Sequence, residues 1–153
     1  MHKEARTVLM VLAKIPEQCE LIRDSNMANL IKGWRNNDDM CEDHRNLEAV
    51  AERIIEKTYR VWELERLYNL VAQFTCELPT LTKRVIRNHF FKGMGRAETG
   101  ELLGLKAIKV DKIASDAVTE VAGLLIRSKV DPEQFAAFRS RHRFVDEAYK
   151  SIC

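Results

Sequence analysis

Apolar residues recur along this chain at the three-and-four spacing of an α-helix, and no stretch shows the sustained apolar–polar alternation of a strand. Val8, Leu9, Val11, Leu12 and Ile15 predict a short helix that Pro16 interrupts. Cys19, Leu21 and Ile22, then Met27, Leu30, Ile31 and Trp34, continue the pattern, so the N-terminal part predicts two or three short helices. Trp34-Arg-Asn-Asn-Asp-Asp39 is a polar break rich in cap-forming residues, and it sets a boundary after an N-terminal helical subregion, 1–46. Leu47, Val50, Ala51, Ile54, Thr58, Val61, Trp62, Leu64, Tyr68, Val71 and Ala72 then predict one long helix from about Leu47 to about Cys76. Two explanations fit that length. The helix is either the backbone on which both halves pack, or part of its two-sided stripe pairs with a second copy or a partner.

The segment from Leu78 onward reads as three consecutive helices ending in a helix-turn-helix. Pro79 suits a first helical turn, and Leu81, Val85, Ile86 and Phe90 form an apolar side while Lys83, Arg84 and Arg87 face water. Lys92-Gly93 stops this helix. Glu98, Leu102 and Leu103 belong to a short second helix closed by Gly104, a residue able to take the left-handed conformation of a tight turn, with Leu105 plugging that turn. In the third run Ile108, Val110, Ile113, Ala114, Ala117, Val121 and Leu124 lie mostly on one face. Lys106, Lys109, Asp111, Lys112, Ser115 and Asp116 remain near its exposed N-terminal part, as candidates for a nucleic-acid groove.

The last segment, 127–153, predicts one amphipathic helix. Asp131-Pro132 caps and opens it, and Phe135, Phe138, Val145, Tyr149 and Ile152 lie on one side. Arg139-Ser-Arg-His-Arg143, preceded by Arg127 and Lys129, is the densest cationic cluster of the chain. It is either a solvated face or a phosphate-gripping surface made by Arg139, Arg141 and Arg143, and His142 is expected at the surface.

Leu78-Pro79, the Val85-Ile86 pair, Phe90-Phe91-Lys92-Gly93, Glu98, Glu101-Leu102-Leu103-Gly104-Leu105 and Val110 together resemble the C-terminal DNA-binding module of bacterial sigma factors, region 4. They equally resemble phage-type late regulators that reuse that module alone. The resemblance runs without a gap from roughly Leu64 to Leu125, within a 47–126 segment that joins the long helix to the module. It implies that the helix opening near Lys106 enters the major groove of promoter DNA, that Lys106, Lys109 and Lys112 face the DNA, and that the surrounding surface docks on RNA polymerase. Two positions depart from the family pattern: Asp111 stands where a neutral or basic residue is usual, and Thr99-Gly100 replaces an apolar-plus-alanine pair. Asp111 could accept from a cytosine amino group, or could mean that the helix no longer reads DNA.

With 153 residues and 46% hydrophobic residues, the chain is long enough to bury a core. Its net charge of +2 demands that any basic footprint be local. Cysteines 19, 41, 76 and 153 lack the close pairing of a zinc ribbon. No signal-peptide pattern or bilayer-length apolar run is seen, so a reduced, cytoplasmic protein without membrane attachment is expected. Cys41 and His44 are spaced like metal ligands, but without a second close pair they read as a loop-to-helix junction. Asp38, Asp39, Glu42 and Asp43 read as loop caps rather than a cation site. No glycine-rich phosphate loop follows a strand, and there is no nucleophile elbow or His-Glu-x-x-His helix, so no enzyme, cofactor or metal is expected.

The expectation is therefore an all-α protein with a long central helix and a sigma-region-4-like helix-turn-helix. Its expected role is that of a DNA-binding transcription regulator acting with RNA polymerase, with or without sigma factor, as a phage-type late activator or antitermination factor. Its DNA-facing residues would be Lys106, Lys109, Lys112 and Ser115, with Arg84, Arg87, Arg139, Arg141 and Arg143 on the backbone. The alternative is an interaction module, a sigma-like decoy or adaptor that occupies the polymerase site without touching double-stranded DNA. A monomer within polymerase and a homodimer reading two half-sites both remain open.

Overall fold

A computed structural model describes the backbone of residues 1–39 and 44–152, and the side chains of 1–28 and 48–152. Among the described residues every regular element is helical, as the spacing predicts. In chain order they are α1 (His2–Val11), a 3-10 turn (Leu12–Lys14), α2 (Ile15–Asp39), α3 (His44–Cys76), α4 (Thr80–Ile86), a π-type turn (Arg87–Phe91), α5 (Arg96–Leu103), α6 (Ala107–Arg127), α7 (Pro132–Arg141) and α8 (Arg143–Ser151). The chain groups into two compact units, one of Met1–Ala13 with Asn69–Cys153 and the other of Lys14–Tyr68.

In the first unit α6 is the central element. Val110, Ala114, Ala117, Val118, Val121, Ala122 and Leu125 are buried at helical spacing along one side of it, and α1, α4 and α5 pack against it. Alanines at three of those positions let neighbouring helices approach closely. α1 contributes Ala5, Val8, Leu9 and Val11 and also packs against α8. α4 contributes Val85 and Ile86, and the π-type turn adds Phe90. Leu81 and Ile108, expected on the apolar faces of their helices, are instead 38% and 81% exposed: Leu81 lies in the first turn of α4, and Ile108 falls on the side of α6 opposite its buried residues.

The stop expected at Lys92-Gly93 has a defined geometry. The Lys92 N–H reaches back to the Arg87 carbonyl at 3.0 Å, the Met94 N–H to the Asn88 carbonyl at 3.0 Å, and Gly93 takes φ 68°. The His89 Nδ1 lies 2.9 Å from the Met94 carbonyl, tying the turn to the strand-free link before α5.

The C-terminal segment differs from the single helix expected. Asp131 caps α7 through a 2.7 Å bond from the Gln134 N–H, as predicted, but the helix ends at Arg141 and α8 starts anew after His142, which takes φ −126° and ψ 92°. In an unbroken helix Phe135 and Tyr149 would stand about 21 Å apart along the axis. The break brings their rings to 6.2 Å and buries both Phe135 and Val145. His142 is also buried, only 1% exposed, with its ring 4.6 Å from that of Phe138, so it is not the surface histidine expected. A bend that folds two apolar faces together buries the residue at the bend.

The second unit is an antiparallel pairing of α2 with the first three-quarters of α3. Arg23 pairs with Glu65, Lys57 reaches Ser25 at 2.5 Å, and the Asn26 amide donates to the Ile54 carbonyl at 3.4 Å, the α3 partner moving backward as α2 advances. Cys19, Val61 and Leu64 are buried. Burial, and secondarily the Glu65 charge, pushes the Cys19 thiol above its ordinary pKa, with Arg23 opposing. Pro16 does not interrupt a helix here. It occupies the second position of α2, where its missing N–H has no partner to lose, and the tight turn at Leu12–Lys14 makes the break instead. The polar run Trp34–Asp39 is likewise helical, since cap-forming residues cost only a few tenths of a kcal/mol each inside a helix. The long helix expected from about Leu47 to about Cys76 is α3. Cys41, Glu42 and Asp43 lie outside the described residues.

Candidate nucleic-acid interface

α5 and α6 are joined by a three-residue turn whose shape follows from Gly100 and Gly104. Gly104 closes α5 in the left-handed conformation, φ 68° and ψ 32°, and the N–H groups of Gly104 and Leu105 both turn back to the Gly100 carbonyl, the latter at 2.8 Å. A Cβ on Gly100 would lie 2.5 Å from the Leu105 carbonyl oxygen, so only glycine fits this close approach. Thr99 beside it is fully buried, and its hydroxyl has no hydrogen-bond partner among the described residues. Thr99-Gly100 thus combines an unsatisfied group at one position with a steric requirement at the next.

Lys106 caps α6 with extended backbone, φ −72° and ψ 145°. Ile108, Lys112, Ser115 and Thr119 follow at intervals that place them on one stripe of α6, with Lys109 on its flank, and all are exposed. The first N–H groups of α6 add the positive end of the helix dipole to this cationic turn. Farther along, the same exposed side carries Asp116 and Glu120. The helix is therefore basic at its opening and acidic beyond it. Lys106, Lys109 and Lys112 are exposed at the cap and in the first two turns of α6, and Ser115 is exposed a turn farther on.

Asp111 does not lie on the lysine stripe. Its carboxylate accepts from Arg96 Nη1 at 2.7 Å, so a residue from the start of α5 neutralises it and holds it to the side. It borders a cleft of about 460 Å³ lined also by His2, Lys3, Arg6, His89, Ser115 and Thr119. Sequence reasoning missed the three α1 residues, because the signal that would find them, a cationic face on α1, is meaningful only once α1 packs beside α6. It also missed Leu102, 61% exposed, which with Ile108 brackets the turn with uncovered apolar surface.

The other cationic candidates separate. Arg84 and Arg87 are exposed, on α4 and the π-type turn. Arg139 is drawn inward: its guanidinium lies 3.7 Å from the centre of the Tyr149 ring and 3.5 Å from the Asp146 carboxylate, and its side chain is 21% exposed. It staples α7 to α8. A hydrogen bond from Lys150 holds the Asp146 carboxyl below its usual range. Partial burial opposes this, and the charges of Lys150 and Arg139 reinforce it. Arg141 is half-buried, and Arg143 is exposed with its Nε 2.7 Å from Glu147.

No helix of the described residues is long and apolar enough to cross a membrane, and no group of histidine, cysteine, aspartate and glutamate residues among them could hold a metal ion. Comparison with known proteins finds no family model, no curated protein and no solved structure that matches this chain.

Proposed function

We propose that this chain is a DNA-binding transcription regulator that acts with bacterial RNA polymerase, in the manner of a phage-type late activator or antitermination factor. The observation that carries the proposal is the opening of α6. There an exposed cationic turn, Lys106, Lys109 and Lys112, is held by a glycine-dependent turn against α5, and the one acid among the lysines, Asp111, is neutralised by Arg96. Lys109 and Lys112 read base edges, Ser115 adds a hydroxyl, and Ile108 offers an apolar contact of the kind that recognises a thymine methyl. Arg84 and Arg87 grip phosphates, joined by Arg143, whose ion pair with Glu147 is fully at the surface; Arg6 extends the cationic surface along the cleft, whereas Lys3 is held over the Tyr149 ring at 4.3 Å and Arg141 is half-buried. Arg139 leaves this set because its charge is spent on Tyr149 and Asp146.

A second reading, a sigma-like decoy or adaptor without DNA readout, draws on the near-neutral net charge and on Asp116 and Glu120 farther along α6. The two are separated by exposing the full chain, alone and with RNA polymerase, to random duplex DNA and sequencing what is retained. An enriched motif with or without polymerase supports DNA reading; polymerase binding with no motif supports the adaptor. Within the first reading, Lys109→Ala with Lys112→Ala abolishes site discrimination, at about 1–3 kcal/mol per base contact. Arg84→Ala with Arg87→Ala weakens all DNA alike and lowers the salt slope by about 2. Equal behaviour of both pairs would remove the assignment of base readout to α6.

A further inference from the structure

α3 has a second face on which large apolar side chains stand about half or more exposed. Val61 and Leu64 are buried on the side met by α2. On the opposite side Glu48, Glu52, Ile55, Tyr59, Trp62 and Arg66 follow one another at alternating intervals of four and three, and all are exposed. That alternation is the 3.5-residue repeat of a coiled-coil seam. Its centre is large and apolar. Ile55, Tyr59 and Trp62 are 68%, 48% and 52% exposed, the Tyr59 and Trp62 rings stack at 5.8 Å, and the Arg66 guanidinium lies 5.5 Å from the Trp62 ring centre. Three consecutive seam positions of this size mark a contact surface rather than scattered surface residues.

We infer that this seam is a homodimer interface in which α3 pairs antiparallel with α3 of a second copy. The order of charges identifies the occupant. From Glu52 to Arg66 an acid precedes three apolar residues and a base follows, an order complementary to its own reverse. Centred on Tyr59, an antiparallel pair sets Ile55 against Trp62 of the second copy and Glu52 against Arg66, twice, by symmetry. A parallel pair would set glutamate on glutamate and arginine on arginine within the seam, so the parallel arrangement is rejected. Glu56 is exposed on one edge of the seam, where a screened charge in solvent costs little, and Glu63 on the same edge is half-buried and already engaged within its own chain. From Glu52 to Arg66 the seam spans about 21 Å. That places the interface in the small, reversible class rather than the obligate one. The inference does not rest on DNA binding, because none of the residues it uses belongs to the cationic turn.

Sedimentation equilibrium of the full chain over a wide concentration range tests it, with circular dichroism confirming that each variant is folded. The wild-type chain is expected to show a reversible monomer–dimer equilibrium. Trp62→Ala should weaken association about thirtyfold or more, as for a central aromatic anchor. Arg66→Glu alone and Glu52→Arg alone should each weaken the dimer, while Glu52→Arg with Arg66→Glu in one chain should restore it, a recovery that antiparallel pairing allows and parallel pairing does not. A folded chain that stays monomeric at the highest concentration overturns the inference. So does a dimer indifferent to Trp62→Ala and to the charge exchange, or a monomer that captures a basic helical peptide or RNA polymerase through Trp62.

Discussion

Gly100→Ala inverts a familiar rule. Alanine in place of glycine inside a helix normally stabilises by about 1 kcal/mol, through helix propensity and lost unfolded-state entropy. Here the new methyl would stand 2.5 Å from the Leu105 carbonyl oxygen, a backbone atom that cannot rotate away, with the Ala107 N another 3.6 Å from it. Relief requires α5 to move off the opening of α6, which strains packing by about 1–3 kcal/mol and loosens the Leu105-to-Gly100 hydrogen bond, worth about 1 kcal/mol. The balance is a net destabilisation of about 1–3 kcal/mol, which for a chain of this length lowers the thermal midpoint by roughly 3–10 °C. Two contrasts isolate the cause. Gly123→Ala, whose methyl meets only the flexible Arg127 guanidinium at 3.5 Å, should stabilise by about 0.5–1 kcal/mol. Thr99→Val, which removes a buried hydroxyl without a partner, should stabilise by about 1 kcal/mol. Urea and thermal unfolding followed by circular dichroism measure all three. A Gly100→Ala chain as stable as the parent, or more so, would refute the close approach of α5 to the turn and with it the account of how the cationic opening of α6 is held.

Arg139→Ala should cost about 1–2 kcal/mol in urea unfolding through the lost Tyr149 and Asp146 contacts, whereas Arg143→Ala stays within about 0.5 kcal/mol of the parent. Because the folded Asp146 carboxyl titrates below its usual range, its stabilisation is present above the ordinary carboxylate pKa and fades as pH falls through the lowered value, so the gap between parent and Asp146→Asn should close in acid; a gap that widens there contradicts the assignment. Mass-mapped alkylation should label Cys76 promptly and Cys19 only on unfolding, since Cys19 is buried with a raised thiol pKa, and prompt labelling of both would contradict the α2–α3 packing.

Helical spacing alone determined the all-helical class, the long α3, the glycine stop at Gly93, the left-handed closure at Gly104 and the Asp131 cap, because each depends on contacts within four or five residues. The lysines at the opening of α6 were legible for the same reason: neighbours in sequence on one helix are neighbours in space. Tertiary structure decided what local spacing cannot carry. It set Asp111 against Arg96 across the turn, placed Lys3 and Arg6 beside Ser115, and drew Arg139 onto Tyr149. It broke the last helix at His142, because two aromatic faces fourteen residues apart gain more by folding together than one helical turn loses. It also made glycine at position 100 necessary, since the atom that excludes a side chain there belongs to the backbone of the next turn. A pattern of apolar positions states which side of a helix seeks burial; which neighbour covers it, and which charges that neighbour brings, is settled only when the helices pack.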